Sequence, residues 1–171
     1  MHKLIAILAT LLATFALGGC GGGEPETVTK DALVASLTQG DFIEITQNYD
    51  AKGDKAVKLR QVGTVQTDGL DEATIESIRA AGEETRTKIA EIEGASYDMQ
   101  EADGALNETI TLSLEDPEIV QEIIDSGLLP ATGQDFTDTE DIAYISIQAT
   151  KESLETQGFT IEKAPEESDK E

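Results

Sequence analysis

The side chains able to do covalent or ligand chemistry are few in kind and unevenly placed. Cys20 is the single cysteine and His2 the single histidine. The Cys20 thiol follows Leu17-Gly18-Gly19 and precedes Gly21-Gly22-Gly23, a stretch of backbone nearly free of side chains. A thiol is the natural alkylation site of a chain, and small neighbours let an enzyme approach it closely. One cysteine also means that no disulfide can form within the chain, whichever compartment holds it.

Residues 1–19 give that thiol its context. Met1-His2-Lys3 is a short basic head, and residues 4–17 (LIAILATLLATFAL) form an almost unbroken apolar run closed by Gly18-Gly19. About 14 apolar residues suit an export signal and fall short of the roughly 20 that a spanning helix needs. The pattern resembles the lipobox of bacterial lipoproteins, in which a Leu three places before the Cys is followed by two small residues. The resemblance implies cleavage before Cys20, a diacylglyceryl thioether on its sulfur and often a third acyl chain, such as palmitate, on the new amine. An uncleaved membrane helix and an ordinary secretory leader containing a cysteine are the alternatives. The glycines around Cys20 argue against the first.

Acids dominate the rest: 35 Asp and Glu against 12 Lys and Arg, a net charge of −23. That balance disfavours nucleic acid and anionic headgroups and keeps the domain soluble. With the leader gone, no histidine and no free thiol remain. Ser-His-Asp and Cys-His catalysis and His/Cys zinc sites are then excluded, leaving carboxylate, Lys or Tyr chemistry. A carboxylate-pair glycosidase needs two acids about 5–10 Å apart in a cleft. Sugar-stacking aromatics are scarce, being Phe42, Tyr49, Tyr97, Phe136, Tyr144 and Phe159, and most fall where a core would take them.

Two clusters remain as ligand candidates. Asp135, Asp138, Glu140 and Asp141 lie in the one long irregular segment, residues 127–141. Hard oxygen ligands suit Ca²⁺, but the spacing does not match an EF-hand. A solvated loop is the plainer reading, with Ca²⁺ binding and partner contact as alternatives. Lys52, Lys55, Lys58 and Arg60 form the one basic cluster. It is either a docking patch for an acidic partner or a solvated strand face balancing nearby acids.

The elements that must position these groups predict one α+β domain over 31–163, an antiparallel sheet from two β-hairpins packed against two or three helices. Residues 20–30 (with GGGEPETVTK after the Cys) form a flexible tether and 164–171 a disordered acidic tail. Strands are expected over 32–37 and 42–49. A three-residue hairpin loop within 50–54 then sets Ile45 opposite Leu59 and Glu44 opposite Arg60. Asp71 caps a long helix whose Ile75, Ile78, Ala81, Thr85, Ile89 and Ile92 face the sheet, with Gly82 allowing a bend or close packing and Gly94 closing it. Asp103-Gly104 turns a second hairpin with Tyr97 opposite Ile110. Asp116-Pro117 opens a second helix ending at Gly127, and Ser146 caps a third reaching Gln157. A short strand over 142–145 precedes it and a last strand follows over 159–163.

With those elements placed, the chain resembles the YehR-like family of bacterial lipoproteins, domains of unknown function. The likeness rests on the lipobox and on Tyr49…Gly53-Asp54-Lys55. It continues through the long helix, the ETITL strand at 108–112, and Leu154-Glu155-Thr156-Gln157-Gly158-Phe159. It supplies no catalytic residues, and this chain is far more acidic than lysine-rich members. The expectation is a lipid-anchored protein on the extracytoplasmic face of the cell membrane, monomeric and not an enzyme. Its role is non-enzymatic binding or contact with an envelope partner. It needs no nucleic acid and no cofactor beyond the covalent lipid. A small-ligand or Ca²⁺-binding lipoprotein is the alternative.

Overall fold

Period-two alternation builds the sheet. In β3 (Ile43–Lys52), Ile43, Ile45, Gln47, Tyr49 and Ala51 are buried while the residues between them are not. The same alternation runs through β4 (Lys55–Gln66) and β6 (Ala105–Ser113), so one face of the sheet carries the core and the other meets solvent. The computed structural model describes residues 27–128 and 144–164, with the two-residue strand β1 (Leu17–Gly18). Apart from that strand, the leader, Cys20 and the first part of the tether lie outside the described residues. So do Asp135, Asp138, Glu140, Asp141 and the tail beyond residue 164.

Adding β2 (Thr29–Gln39), β5 (Ala95–Ala102) and β8 (Thr160–Lys163) gives a six-stranded antiparallel sheet in the order β5-β6-β4-β3-β2-β8. The expected two-hairpin sheet with three helices is what forms, the hairpins joining along β4 and β6. β2 starts at Thr29, three residues ahead of the strand expected from 32 and inside the stretch 20–30 expected to be tether. A short β7 (Tyr144–Ile145) pairs with β1, and Ser146 beside it bridges to Lys55.

The first hairpin corrects its expected register. Gly53-Asp54 forms the turn, Lys52 lies opposite Lys55, and a bulge between Asp50 and Ala51 shifts the pairing by one residue. Leu59 therefore faces Tyr49, Arg60 faces Asn48, and Glu44 faces Thr64, so the expected Glu44–Arg60 ion pair does not form. The turn is tighter and lies further along the chain than a loop centred on Lys52, with Gly53 at φ 58°. The error is four residues, an even number, so the apolar face survives it. The second hairpin turns at Asp103 (φ 54°) and Gly104 (φ 74°), and Tyr97 does lie opposite Ile110.

Three helices cover the apolar face. In α1 (Glu72–Ile89), Asp71 Oδ1 accepts the Thr74 N–H at 2.9 Å, and Ile78, Gly82, Thr85 and Ile89 are buried. The helix stops at Ile89, ahead of Gly94, which instead turns the chain into β5 at φ 72°. A Cβ on Gly82 would lie 2.5 Å from the Tyr97 hydroxyl and nearer still to the Met99 methyl, so the glycine serves close packing. α2 (Pro117–Asp125) is capped by Asp116 and buries Val120 and Ile123. α3 (Ile147–Thr156) is capped by Ser146 and buries Ile147, Thr150 and Leu154. It ends at Gly158 (φ 90°), where the Phe159 N–H donates to the Leu154 carbonyl at 3.0 Å and Phe159 itself is buried.

Candidate functional site

The two faces of the sheet offer different chemistry. On the covered face, three polar residues stand in phase with apolar ones: Gln47 among Ile43, Ile45 and Tyr49, Gln61 beside Leu59, and Glu108 between Leu106 and Ile110. All three are buried. The Tyr49 hydroxyl donates to Gln47 Oε1 at 2.8 Å, and Gln47 Nε2 donates to Gln61 Oε1 at 2.8 Å. Gln61, Ile110 and Tyr97 then form one row across β4, β6 and β5, with Gly63, Glu108 and Met99 the row beside it. Gln61 Nε2, Glu108 Oε2 and the Tyr97 hydroxyl lie buried without a hydrogen-bond partner among the described residues.

Burial shifts the titratable groups of this cluster. Desolvation raises the Tyr49 phenol well above its ordinary value. Desolvation also raises the Glu108 carboxyl, the nearby Tyr97 hydroxyl opposing it. Tyr97 is raised, by burial first and by the Glu108 charge second, against a lowering from Arg86, whose guanidinium lies 5.5 Å over the ring. The result is a buried polar network whose one carboxyl is disfavoured in its charged form by burial. It can hold a proton or a bridging water and fix the packing of α1 on β5.

Glu108 carries a pH prediction. Its folded pKa lies above the ordinary carboxyl value of about 4.3. The stability it contributes is therefore complete below that value and is lost as pH rises through the folded pKa. Glu108→Gln should melt higher than the parent at neutral pH, with the gap closing as pH falls toward 4. Melting curves across that range check it. A gap independent of pH would contradict it.

The open face is built from small polar side chains. One row runs Ser36, Thr46, Val62, Thr109 and Asp98 across five strands; the next runs Val34, Asn48, Arg60, Thr111 and Ser96. A third runs Thr38, Glu44, Thr64, Asn107 and Gln100. None of these residues is buried. The few charges are of both signs, unlike the strongly acidic chain as a whole. The predicted basic cluster lies at one end of this sheet. Lys52 and Lys55 flank the β3–β4 turn, Lys58 lies opposite Asp50 in the strand register, and Arg60 occupies the next row. Lys52 Nζ meets Glu115 Oε1 at 2.9 Å, which pulls the Glu115 carboxyl down.

The structure thus brings Lys52, Lys55, Lys58 and Arg60 together, while Cys20 and the four loop acids lie outside the described residues. Among the described residues no group of three His, Cys, Asp or Glu could hold a metal ion, and no helix is long and apolar enough to cross a membrane. The buried polar cluster of Gln47, Gln61 and Glu108, drawn from two adjacent rows, escaped the sequence reading. Its signal was present, since polar residues in phase with an apolar alternation mark either a network or a site.

The chain matches no protein-family model and no curated protein. Its fold is similar to the NMR structure of the E. coli YehR protein, with a TM-score of 0.55 at 20% identity over 84% of this chain and 98% of that one. An NMR structure of a Streptococcus pneumoniae protein matches with a TM-score of 0.49 at 14% identity, over 86% and 92% of the two chains. The chain therefore has a YehR-like α+β fold.

Proposed function

We propose that this YehR-like domain is a bacterial lipoprotein of the same family, held through a lipid on Cys20 outside the cell, and that it binds an envelope partner without catalysis. The observation that carries the binding reading is the open sheet face. A five-strand face, mostly Thr, Ser, Asn and Gln with Glu44, Arg60 and Asp98 among them, presents hydrogen-bond donors and acceptors with charges of both signs. The rest of the acidic surface repels other anionic envelope surfaces, so a neutral polar partner is selected by where it can approach. Cleavage before Cys20 would remove β1 and leave β7 attached through the Ser146–Lys55 bridge.

A photo-crosslinking residue at Thr109 or Thr46 on intact cells tests this reading. One defined adduct should form at both positions and none at Glu84, on the far side of α1. Equal labelling at all three positions, or none at the sheet, would overturn it. Conversion of a cell-wall or glycan substrate by the purified protein would overturn the non-enzymatic reading.

A small-ligand or Ca²⁺ role is the second reading, favoured by the acids at 135–141. A site filled at 100 times its dissociation constant adds about 2.7 kcal/mol of stability. No change in melting at millimolar calcium would remove it.

A further inference from the structure

We propose that the outer edge of β5, alongside α1, takes an extended cationic segment of a partner protein as an added strand. The surface is the rim of the sheet rather than its open face, and it stands or falls apart from the reading of that face.

The β5–β6 turn fixes which backbone groups point outward. Asp103 and Gly104 both have positive φ, so Ala102 and Ala105 close the two-residue turn as a hydrogen-bonded pair. Counting back by twos, Gln100, Asp98 and Ser96 exchange bonds with β6. The Ser113 N–H, donating to the Gly94 carbonyl at 2.9 Å, continues the series. Tyr97, Met99 and Glu101 therefore aim their N–H and C=O groups away from β6. No strand lies beyond β5 among the described residues, and no turn or loop there bonds these groups. The result is a row of alternating donors and acceptors about 14 Å long.

Folds usually blunt such an edge by keeping it short, bulged or charged. At the other rim, β8 has four residues and its pairing with β2 shifts register. By contrast, β5 pairs with β6 over eight residues without a shift. Tyr97 and Met99 are only half-buried, whereas Ile110 and Glu108 opposite them on β6 are buried. Their uncovered surface lies where the inward side chains of a next strand would rest. α1 walls that side: the Arg86 guanidinium is 5.5 Å from the Tyr97 ring centre, and Arg79 Nη2 meets Glu101 Oε2 at 2.8 Å. An edge strand beside a helix is a recurrent seat for an extended peptide.

Charge selects the occupant. Glu93, Asp98, Glu101 and Asp103 lie on β5 and its flanking turns, with Glu83 on α1, against Arg79 and Arg86. Both arginines already meet acids of this set, Arg86 Nη1 lying 3.0 Å from Glu83 Oε1. The rim is therefore net acidic. It suits a segment with apolar residues facing Tyr97 and Met99 and Lys or Arg facing out beside Asp98. A second copy would bring a net charge of −23 against −23 and is repelled. The chain's own acidic tail, EESDKE at 166–171, is disfavoured for the same reason.

The test adds capped octapeptides to the isotope-labelled full chain in neutral detergent. They are alternating Val-Lys, alternating Val-Glu, and Val-Lys with every amide N-methylated. Before any addition, the Tyr97, Met99 and Glu101 amides should exchange about tenfold faster than those of Asp98 and Gln100. Val-Lys should slow those three by about tenfold, and the other two peptides should leave them unchanged. Glu101→Pro removes an outward N–H and no bond to β6, and should weaken Val-Lys binding about tenfold. Glu101→Gln loses the same charge and should weaken it less than about threefold. Equal binding by the N-methylated peptide would mean that charge alone attracts the segment and would overturn the added strand. That comparison decides even where Glu101→Pro fails to fold. Shifts confined to the rows of Thr46 and Thr109 would also overturn it, as would slow exchange at the three amides before any peptide is present.

Discussion

Replacing Cys20 by Ser should move the protein from the membrane fraction to the soluble one. Each buried methylene contributes about 0.8 kcal/mol, so losing two long acyl chains removes on the order of 20 kcal/mol of attachment. A single remaining apolar segment does not restore it. The leader run of about 14 residues is shorter than the roughly 20 a spanning helix requires. A variant that keeps its leader should therefore come off in alkaline carbonate, where the parent stays. A second variant makes the outcome independent of leader processing. Exchanging residues 1–19 for an ordinary cleavable secretory leader, with Cys20→Ser, should give fully soluble protein. Retention of both variants on carbonate-washed membranes would mean that something other than lipid on Cys20 holds the chain.

The second large effect tests the two-faced sheet. Ile110 is fully buried on β6, between Gln61 and Tyr97, whereas its neighbour Thr109 points to the open face between Val62 and Asp98. Ile110→Ala removes buried methyl groups and leaves a cavity, a loss of about 2–5 kcal/mol. That is a large share of the roughly 5–15 kcal/mol a domain usually has. Thr109→Val, which keeps the β-branched shape at an unburied position, should change stability by less than about 0.5 kcal/mol. Chemical denaturation of the two variants reads the contrast. Equal losses would mean that the face bearing Thr109 is covered by something the present account places elsewhere.

The contrast between those neighbours shows what the sequence made legible. Alternation in 106–112 placed Ile110 inside, and Asp103-Gly104, with positive φ at both residues, set Tyr97 opposite it. Helix boundaries were equally readable where a cap was present: Asp71, Asp116 and Ser146 each accept a backbone N–H in the first turn. The first hairpin was harder. Lys52, Gly53 and Asp54 all tolerate a turn, and two loop lengths fit the same residues. Nothing local reveals the bulge at Asp50, which depends on how Ala51 and Ala56 both reach the core. Gly82 was ambiguous for a related reason: a mid-helix glycine signals either a bend or a close contact. Only the approach of Tyr97 and Met99, set by strands far along the chain, decides between them.

The site was less legible than the fold. Lys52, Lys55, Lys58 and Arg60 are neighbours in sequence, so their clustering was visible. Their place beside the start of β2 was not, because it depends on Thr29 pairing with Ala51 across the intervening hairpin. The open face draws residues from five strands, and small polar residues at alternate positions read like any solvated strand. Their common plane exists only in the assembled sheet.

The most direct test is the intact mass of the protein extracted from the membranes of its own host. The account predicts a chain that begins at Cys20 and carries a diacylglyceryl group on its sulfur, with or without a further acyl chain on its amine. A full-length chain beginning at Met1 with an unmodified thiol would contradict it.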